Sequence, residues 1–220
     1  MPFTEDVFDF FTELRMNNSK QWFDENRERY ENSVVEASRE FVVSLGDKLH
    51  ALSEGFNAIP KVNQSMFRVN RDVRFSKNKS PYKTHLGLLF WEGDRKRMEN
   101  SGVYVNIEAE SCFIATGLHS FSKDVLESYR NAILSKPKAK SLQLILSRLE
   151  KKHTISGETY KNVPRGFDKD YEFAELLKFK GIFVMQSFPD ELVYSDDLFI
   201  TIVDQMQDTL ELHKWFVENV

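Results

Sequence analysis

The sequence predicts an α+β domain: an antiparallel sheet built as a meander, helices packed on one of its faces, and N- and C-terminal helices flanking the strands. Three observations predict it. The first sixty or so residues carry apolar side chains at three- and four-residue spacing, the stretch from His85 to Leu118 consists of short runs rich in aromatic and branched residues, and helical spacing returns from Ser122 onward. No Pro/Gly/Ser-rich linker interrupts the 220 residues, so one domain over 1–220 is expected.

Each element has a local reason. Thr4 followed by Glu5 and Asp6 offers a cap and acids for a first turn, and Val7, Phe8, Phe10, Phe11 and Leu14 then share a helical stripe that should end near Met16-Asn17-Asn18. Ser19 is placed to cap a second helix bearing Trp22, Phe23, Asn26 and Tyr30, and the series Val34, Ala37, Phe41, Leu45, Leu49, Leu52 continues it or a successor. After the break SEGFNAIP, the runs HLGLLFWE, GVYVNIEA and SCFIATGL read as three strands. Within the second of them Val103, Val105 and Ile107 alternate with Tyr104, Asn106 and Glu108, so one sheet face should be packed and the other partly wet. Ser122 caps a helix with Val125, Leu126, Tyr129 and Ile133; Lys136-Pro137 opens another around Leu142, Ile145, Leu146 and Leu149. A loop, a short helix at Glu175-Leu176-Leu177 and a strand from Gly181 to Ser187 follow. Ser195 then caps one long final helix with Leu198, Phe199, Ile202, Val203, Met206, Leu210 and Trp215.

Composition narrows the function classes. A hydrophobic fraction of 41% including nineteen Phe is ample for a core and excludes a disordered chain. The start MPFTEDVFDFF sets acids among aromatics with no basic leader, and nowhere do eighteen apolar residues run together, so a cytoplasmic protein with no membrane partner is expected. One cysteine, Cys112, rules out an internal disulfide, and its apolar setting favours a small buried hydrophobe over a nucleophile. Phosphate-loop, dinucleotide and nucleophile-elbow motifs are absent, so no cofactor is expected. The five histidines lack metal-ligand spacing; His85 and His119 meeting across the meander beside Glu108 is the one arrangement that would suit a transition metal, and structural histidines are the expectation instead, with no metal site.

Charge is where the sequence is uneven. Lys61 to Thr84 holds seven cations against one acid, a net +6, in a chain of net −4, so the remainder sums to −10. Its centre reads Arg68-x-x-Arg71-Asp72-x-Arg74-Phe75, followed by Lys77, Lys79, Ser80, Pro81, Tyr82 and Lys83. If Met66 to Val73 is extended, Arg68, Asn70, Asp72 and Arg74 share a face. Guanidinium forks suit carboxylate or phosphate, Asp72 is positioned to lock one of them, and Asn78, Ser80 and Pro81 mark a turn that returns Lys79 and Tyr82 toward the strand.

These residues resemble the uncharacterised family catalogued as domain of unknown function 2461, whose signature R-x-x-R-D-x-R-F followed by K-x-x-Y is matched by Arg68, Arg71, Asp72, Arg74, Phe75, Lys79 and Tyr82. The likeness extends to Asn18, Trp22-Phe23 and Tyr30, to Tyr82-Lys83-Thr84-His85, and to Pro164-Arg165-Gly166-Phe167-Asp168 before Leu177-Lys178-x-Lys180-Gly181, and so spans nearly the whole chain. Where the family pattern has a proline and a histidine soon after that Asp, this chain has Lys169-Asp170-Tyr171, so no catalytic histidine is assigned there. The resemblance implies a location for a site and no chemistry.

The expected site is therefore an arginine-rich pocket of Arg68, Arg71, Asp72, Arg74, Lys79 and Tyr82, joined by Arg165, that binds a small phosphorylated or carboxylated ligand. If it is catalytic, Asp72 or Glu108 are the local candidates for a general base. Two further readings compete. In one, a single-stranded nucleic acid or RNA lies on the basic loop with Trp22, Phe23 or Phe75 stacking on bases, although for all three aromatics a place in the core is the first expectation. In the other, the cations are consumed by Asp72 and by acids such as Glu92, Glu108 and Glu110 in an internal network or a partner-docking surface.

Overall fold

A computed structural model describes residues 3–220. The helices are α1 (Asp6–Met16), α2 (Lys20–Glu25), α3 (Arg27–Arg29), α4 (Ala37–His50), α5 (Lys123–Leu134), α6 (Lys136–Leu149), α7 (Asp197–Asp208) and α8 (Leu210–Asn219), with a π-helical segment over Tyr30–Glu36 between α3 and α4. The strands are β1 (Phe56–Asn57), β2 (Leu86–Glu92), β3 (Gly102–Ile107), β4 (Phe113–Leu118), β5 (Ile155–Ser156) and β6 (Ile182–Ser187). They form one antiparallel six-stranded sheet in the order β1-β2-β3-β4-β6-β5, in which β2, β3 and β4 are the expected meander.

Most local signals act as the sequence suggests. The Ser19 hydroxyl accepts from the Trp22 N–H at 3.3 Å and that of Ser122 from the Val125 N–H at 3.4 Å, so both helices have the caps assigned to them. Three details differ. Glu5, not Thr4, is the N-terminal boundary of α1, and it caps with no side-chain bond. The long final helix is two helices that part at Thr209, a buried residue whose backbone (φ −101°, ψ 6°) leaves the helical range. The two-residue strands β1 and β5 fall in stretches read as a break and a loop, because two residues are too few to show a period.

The chain forms two compact units. The first comprises Met1–Phe90, Tyr104–Ile114 and Ser187–Val203. Its interior is aromatic: the Phe10 ring meets Phe11 (5.5 Å between centroids), Trp22 (5.6 Å), Phe23 (6.3 Å) and Tyr30 (5.4 Å), and Phe41 stacks on Phe199 at 5.0 Å. Fully burying each such side chain is worth about 1.5–3 kcal/mol, with about 0.5–1.5 kcal/mol more for a well-set ring pair. The second unit comprises Trp91–Val103, Ala115–Gln186 and Asp204–Val220. Its core joins α5, α6 and α8 to Leu118, Ile182 and Val184 of the sheet around Tyr129, Ile133, Leu142, Trp215 and Phe216. Its buried aromatics keep their polar ends satisfied: the Tyr129 hydroxyl donates to the Leu176 carbonyl (2.8 Å) and the Trp215 indole to the Lys138 carbonyl (3.1 Å).

Candidate functional site

The basic segment is a hairpin in the first unit. Its arms pair through Arg71 N–H to the Pro81 carbonyl and Lys83 N–H to the Val69 carbonyl, both 2.8 Å, with Asn70 opposite Tyr82. Residues 72–80 form the tip. Upstream, the Phe67 N–H donates to the Gly87 carbonyl (3.0 Å) and the Leu89 N–H to the Ser65 carbonyl (2.8 Å), so the first arm is continuous with a short stretch laid along β2. The turn expected from Asn78, Ser80 and Pro81 is present: the Asn78 side-chain oxygen accepts from the Ser80 N–H at 2.9 Å.

Two residues from the N-terminal helices hold the base of this hairpin. Phe23 of α2 stacks on Tyr82 with centroids 4.2 Å apart and planes at 18°. Asn18, between α1 and α2, accepts from the Tyr82 N–H and donates to the Tyr82 carbonyl, each at 3.0 Å. Tyr82 is thus a buried anchor, and burial raises the pKa of its hydroxyl.

The tip is organised by its own groups. Asp72 accepts from both donors on one edge of Arg74, Nε to Oδ1 at 2.9 Å and Nη2 to Oδ2 at 2.6 Å, and from the Arg74 N–H at 3.3 Å. This grip brings the Asp72 carboxyl down to about 2. Asp72 therefore locks a guanidinium, as expected, and as a carboxylate of such low basicity it is a poor proton acceptor. Arg71 spends one donor on the Ser80 carbonyl (3.3 Å) and Lys79 one on the Val73 carbonyl (2.9 Å). Arg68, Arg71, Lys77 and Lys79 form no ion pair with any carboxylate among the described residues. Two of the three acids named for an internal network are engaged elsewhere: Glu108 pairs with Arg15 of α1 at 3.0 Å and Glu92 with His213 at 2.8 Å.

Phe75 departs most from expectation. Trp22 and Phe23 pack on Phe10, as core aromatics should, whereas Phe75 is 96% exposed at the hairpin tip with the Arg74 guanidinium over its ring at 5.9 Å. Single-residue hydropathy places a Phe inside; the hairpin tip has no core for it to reach. Arg165 belongs to the second unit, whereas the other expected site residues belong to the first. It is the second residue of a turn closed by the Phe167 N–H on the Pro164 carbonyl (3.3 Å), and Gly166, the third residue, has φ +92°. No atom lies within 4 Å of where a Gly166 Cβ would stand, so the glycine serves the backbone angle and not a close approach.

Beside the hairpin base, the Thr84 hydroxyl donates to Glu108 at 3.4 Å, and burial lowers the pKa of His85 against the opposing pull of Glu108. Among the described residues no group of three or more His, Cys, Asp and Glu is disposed to hold a metal ion. Cys112 is buried and its thiol is pushed up to about 12 by that burial, which fits an inert packing role.

Two features of the second unit escaped sequence reasoning because their members are far apart in the chain. One is a buried relay in which the His213 ring lies 3.0 Å from the Ser101 hydroxyl and 2.8 Å from the Glu92 carboxylate, at the wall of a hollow of about 220 Å³ that Glu92 and Ser101 line with Arg95 and Asn100. The other is a hollow of about 240 Å³ lined by Arg148, Lys152, His153, Asp208 and Glu211, whose charges pair with one another.

The sequence matches the family described as conserved hypothetical protein, domain of unknown function 2461, over residues 6–215. The chain belongs to this family. No curated protein and no solved structure matches it. In this chain Arg71 and Tyr82 lie in the arms of one hairpin, and Asp72, Arg74, Phe75 and Lys79 lie at its tip. No helix among the described residues is long and apolar enough to cross a membrane.

Proposed function

We propose that the hairpin over residues 68–83 binds a phosphate-bearing ligand that also carries a planar base, that is, a nucleotide or a short single-stranded nucleic acid. The observation that carries this reading is an almost fully exposed Phe75 among exposed cations, of which Arg68, Lys77 and Lys79 pair with no carboxylate among the described residues. An exposed cation gains from phosphate, and an exposed aromatic ring gains from stacking on a base by about 1–3 kcal/mol. A small organic acid would use the cations and leave Phe75 without a role. Within the tip, Asp72 holds Arg74 in one orientation, its guanidinium carbon 5.9 Å from the centroid of Phe75, so cation and ring stand together for one ligand. The remainder of the chain, at −10, repels phosphates beyond the hairpin and keeps the footprint short.

The test is fluorescence anisotropy with a labelled oligothymidylate of about ten nucleotides, with ATP as competitor. Phe75→Ala should weaken binding by about 5- to 150-fold, the stacking energy converted to affinity. Lys77→Ala with Lys79→Ala should weaken it for every sequence and flatten its salt dependence. Binding by the wild type that survives Phe75→Ala unchanged would remove the base from the ligand, and no binding at all would remove the reading.

A further inference from the structure

In the second unit, Arg130 stands in the C-terminal half of α5 with its guanidinium carbon 5.3 Å from the centroid of Tyr160 and 5.5 Å from that of Phe167. Its Nε and Nη2 atoms are buried and have no hydrogen-bond partner within the protein. Among the described residues Arg130 pairs with no carboxylate, while the one acid of the neighbouring ladder, Glu158, is bound to Lys180. Buried donors on a permanently charged group that meet no acceptor are costly and uncommon.

The two orphaned atoms are not an arbitrary pair. Nε and Nη2 form one edge of the guanidinium, with parallel N–H directions that match the two oxygens of a carboxylate. The same edge of Arg74 is filled in this way by Asp72, at 2.9 and 2.6 Å, and that of Arg29 is met by Asp6. Both N–H groups of this edge are sealed from solvent beside the two rings, so a ligand reaches them only when a covering ring moves aside, and a flat two-oxygen acceptor needs the smaller opening. We infer that the Nε–Nη2 edge of Arg130, under Tyr160 and Phe167, is a binding site for the carboxylate of a small organic acid.

The two covering rings differ in freedom. Phe167 is packed against the core of the second unit. Tyr160 is 40% exposed, and only its main chain is held, by its N–H on the Lys178 carbonyl and the Lys180 N–H on the Glu158 carbonyl, both 2.8 Å, so its ring is the one that swings to admit a ligand. Arg165 sits on the turn that carries Phe167 and adds a positive charge beside it.

The experiment follows the arginine Nε–Hε resonances of the full chain by ¹H–¹⁵N NMR, with the Arg130 signal assigned by its loss in Arg130→Lys. Titration with succinate should shift the Arg130 signal downfield along a saturating curve and leave the Arg74 signal in place. In parallel, succinate should raise the melting temperature of the wild type, and Arg130→Lys, which keeps the charge and loses the fork, should weaken that response on the order of tenfold or more. Phe75→Ala should leave both responses unchanged, so this site and the nucleotide-binding reading of the hairpin fail separately. The inference is overturned if the Arg130 signal shows no saturable shift with succinate, if inorganic phosphate alone produces one, or if Arg130→Lys responds like the wild type. Should Arg130→Lys fail to fold, the Arg130 signal is assigned instead by its nuclear Overhauser contacts to the Tyr160 and Phe167 rings, and the wild-type titration decides.

Discussion

Asn18→Ala tests how the N-terminal helices hold the basic hairpin. In an antiparallel pair, a residue flanked on both sides by ladder bonds turns its own N–H and C=O away from the partner strand. Tyr82 is such a residue: the bonds run through Arg71 to Pro81 and Val69 to Lys83, and Tyr82 faces outward to Asn18, whose amide meets both of its groups at 3.0 Å. Two neutral bonds at about 1 kcal/mol each put the loss near 2 kcal/mol. For a chain of 150–250 residues that corresponds to a fall in melting temperature of about 4–8 °C, toward the low end here because the site is only partly buried and water replaces some of what is lost. Asn18→Asp is the sharper variant. It retains the acceptor and the shape but sets a carboxylate oxygen against the Tyr82 carbonyl, so it should cost at least as much as Ala. Differential scanning fluorimetry measures both, and hydrogen exchange at the Tyr82 amide localises the effect, which should appear there before the rest of the core. An Asn18→Asp protein as stable as the wild type, or an Asn18→Ala protein whose Tyr82 amide exchanges no faster, would refute the clamp.

Other expectations concern buried titratable groups. Burial holds His213 below its usual 6.5, with the charge of Lys214 adding to that and Glu92 opposing it; the neutral ring therefore stabilises the fold fully above 6.5, and this contribution is lost as pH falls through 6.5 toward the lower folded value. Melting temperature between about pH 7.5 and 5.5 should accordingly fall more steeply in the wild type than in His213→Gln, and parallel curves would show that the ring does not titrate in this window. Cys112, with its thiol pushed up to about 12, should resist Ellman's reagent in the native protein and react at once in denaturant; rapid native labelling would contradict its burial.

What the sequence reveals of this fold depends on the range over which each signal acts. Caps and turns are decided within a few residues, so Ser19, Ser122 and Asn78 could be assigned their roles from neighbours alone. Strands β2, β3 and β4 are long enough to show their character, and β1 and β5 are not. The Thr209 break was hidden because the apolar stripe runs through it from Leu198 to Trp215; what departs from the helix is the backbone of one residue, at φ −101° and ψ 6°, which hydropathy does not register.

The two candidate sites separate along the same line. A cluster of like charges contiguous in sequence can be counted, and Asp72, two residues from Arg74, could be recognised as its lock. Which cations remain for a ligand could not be counted, because that depends on acids distant in the chain: Glu108 might have closed on the hairpin and instead holds Arg15, and Glu92 holds His213. Arg130 shows the converse. It lies in an ordinary amphipathic helix, and nothing within ten residues distinguishes it from a solvated surface cation. Its chemistry arises only when the turn at Gly166 lays Phe167 over it and the ladder at Thr159 sets Tyr160 beside it, removing water from two donors without supplying an acceptor. Local charge density thus locates the proposed hairpin site, whereas the desolvation of a guanidinium edge by distant aromatics locates the one inferred at Arg130, and the second property is written in the fold and not in the motif.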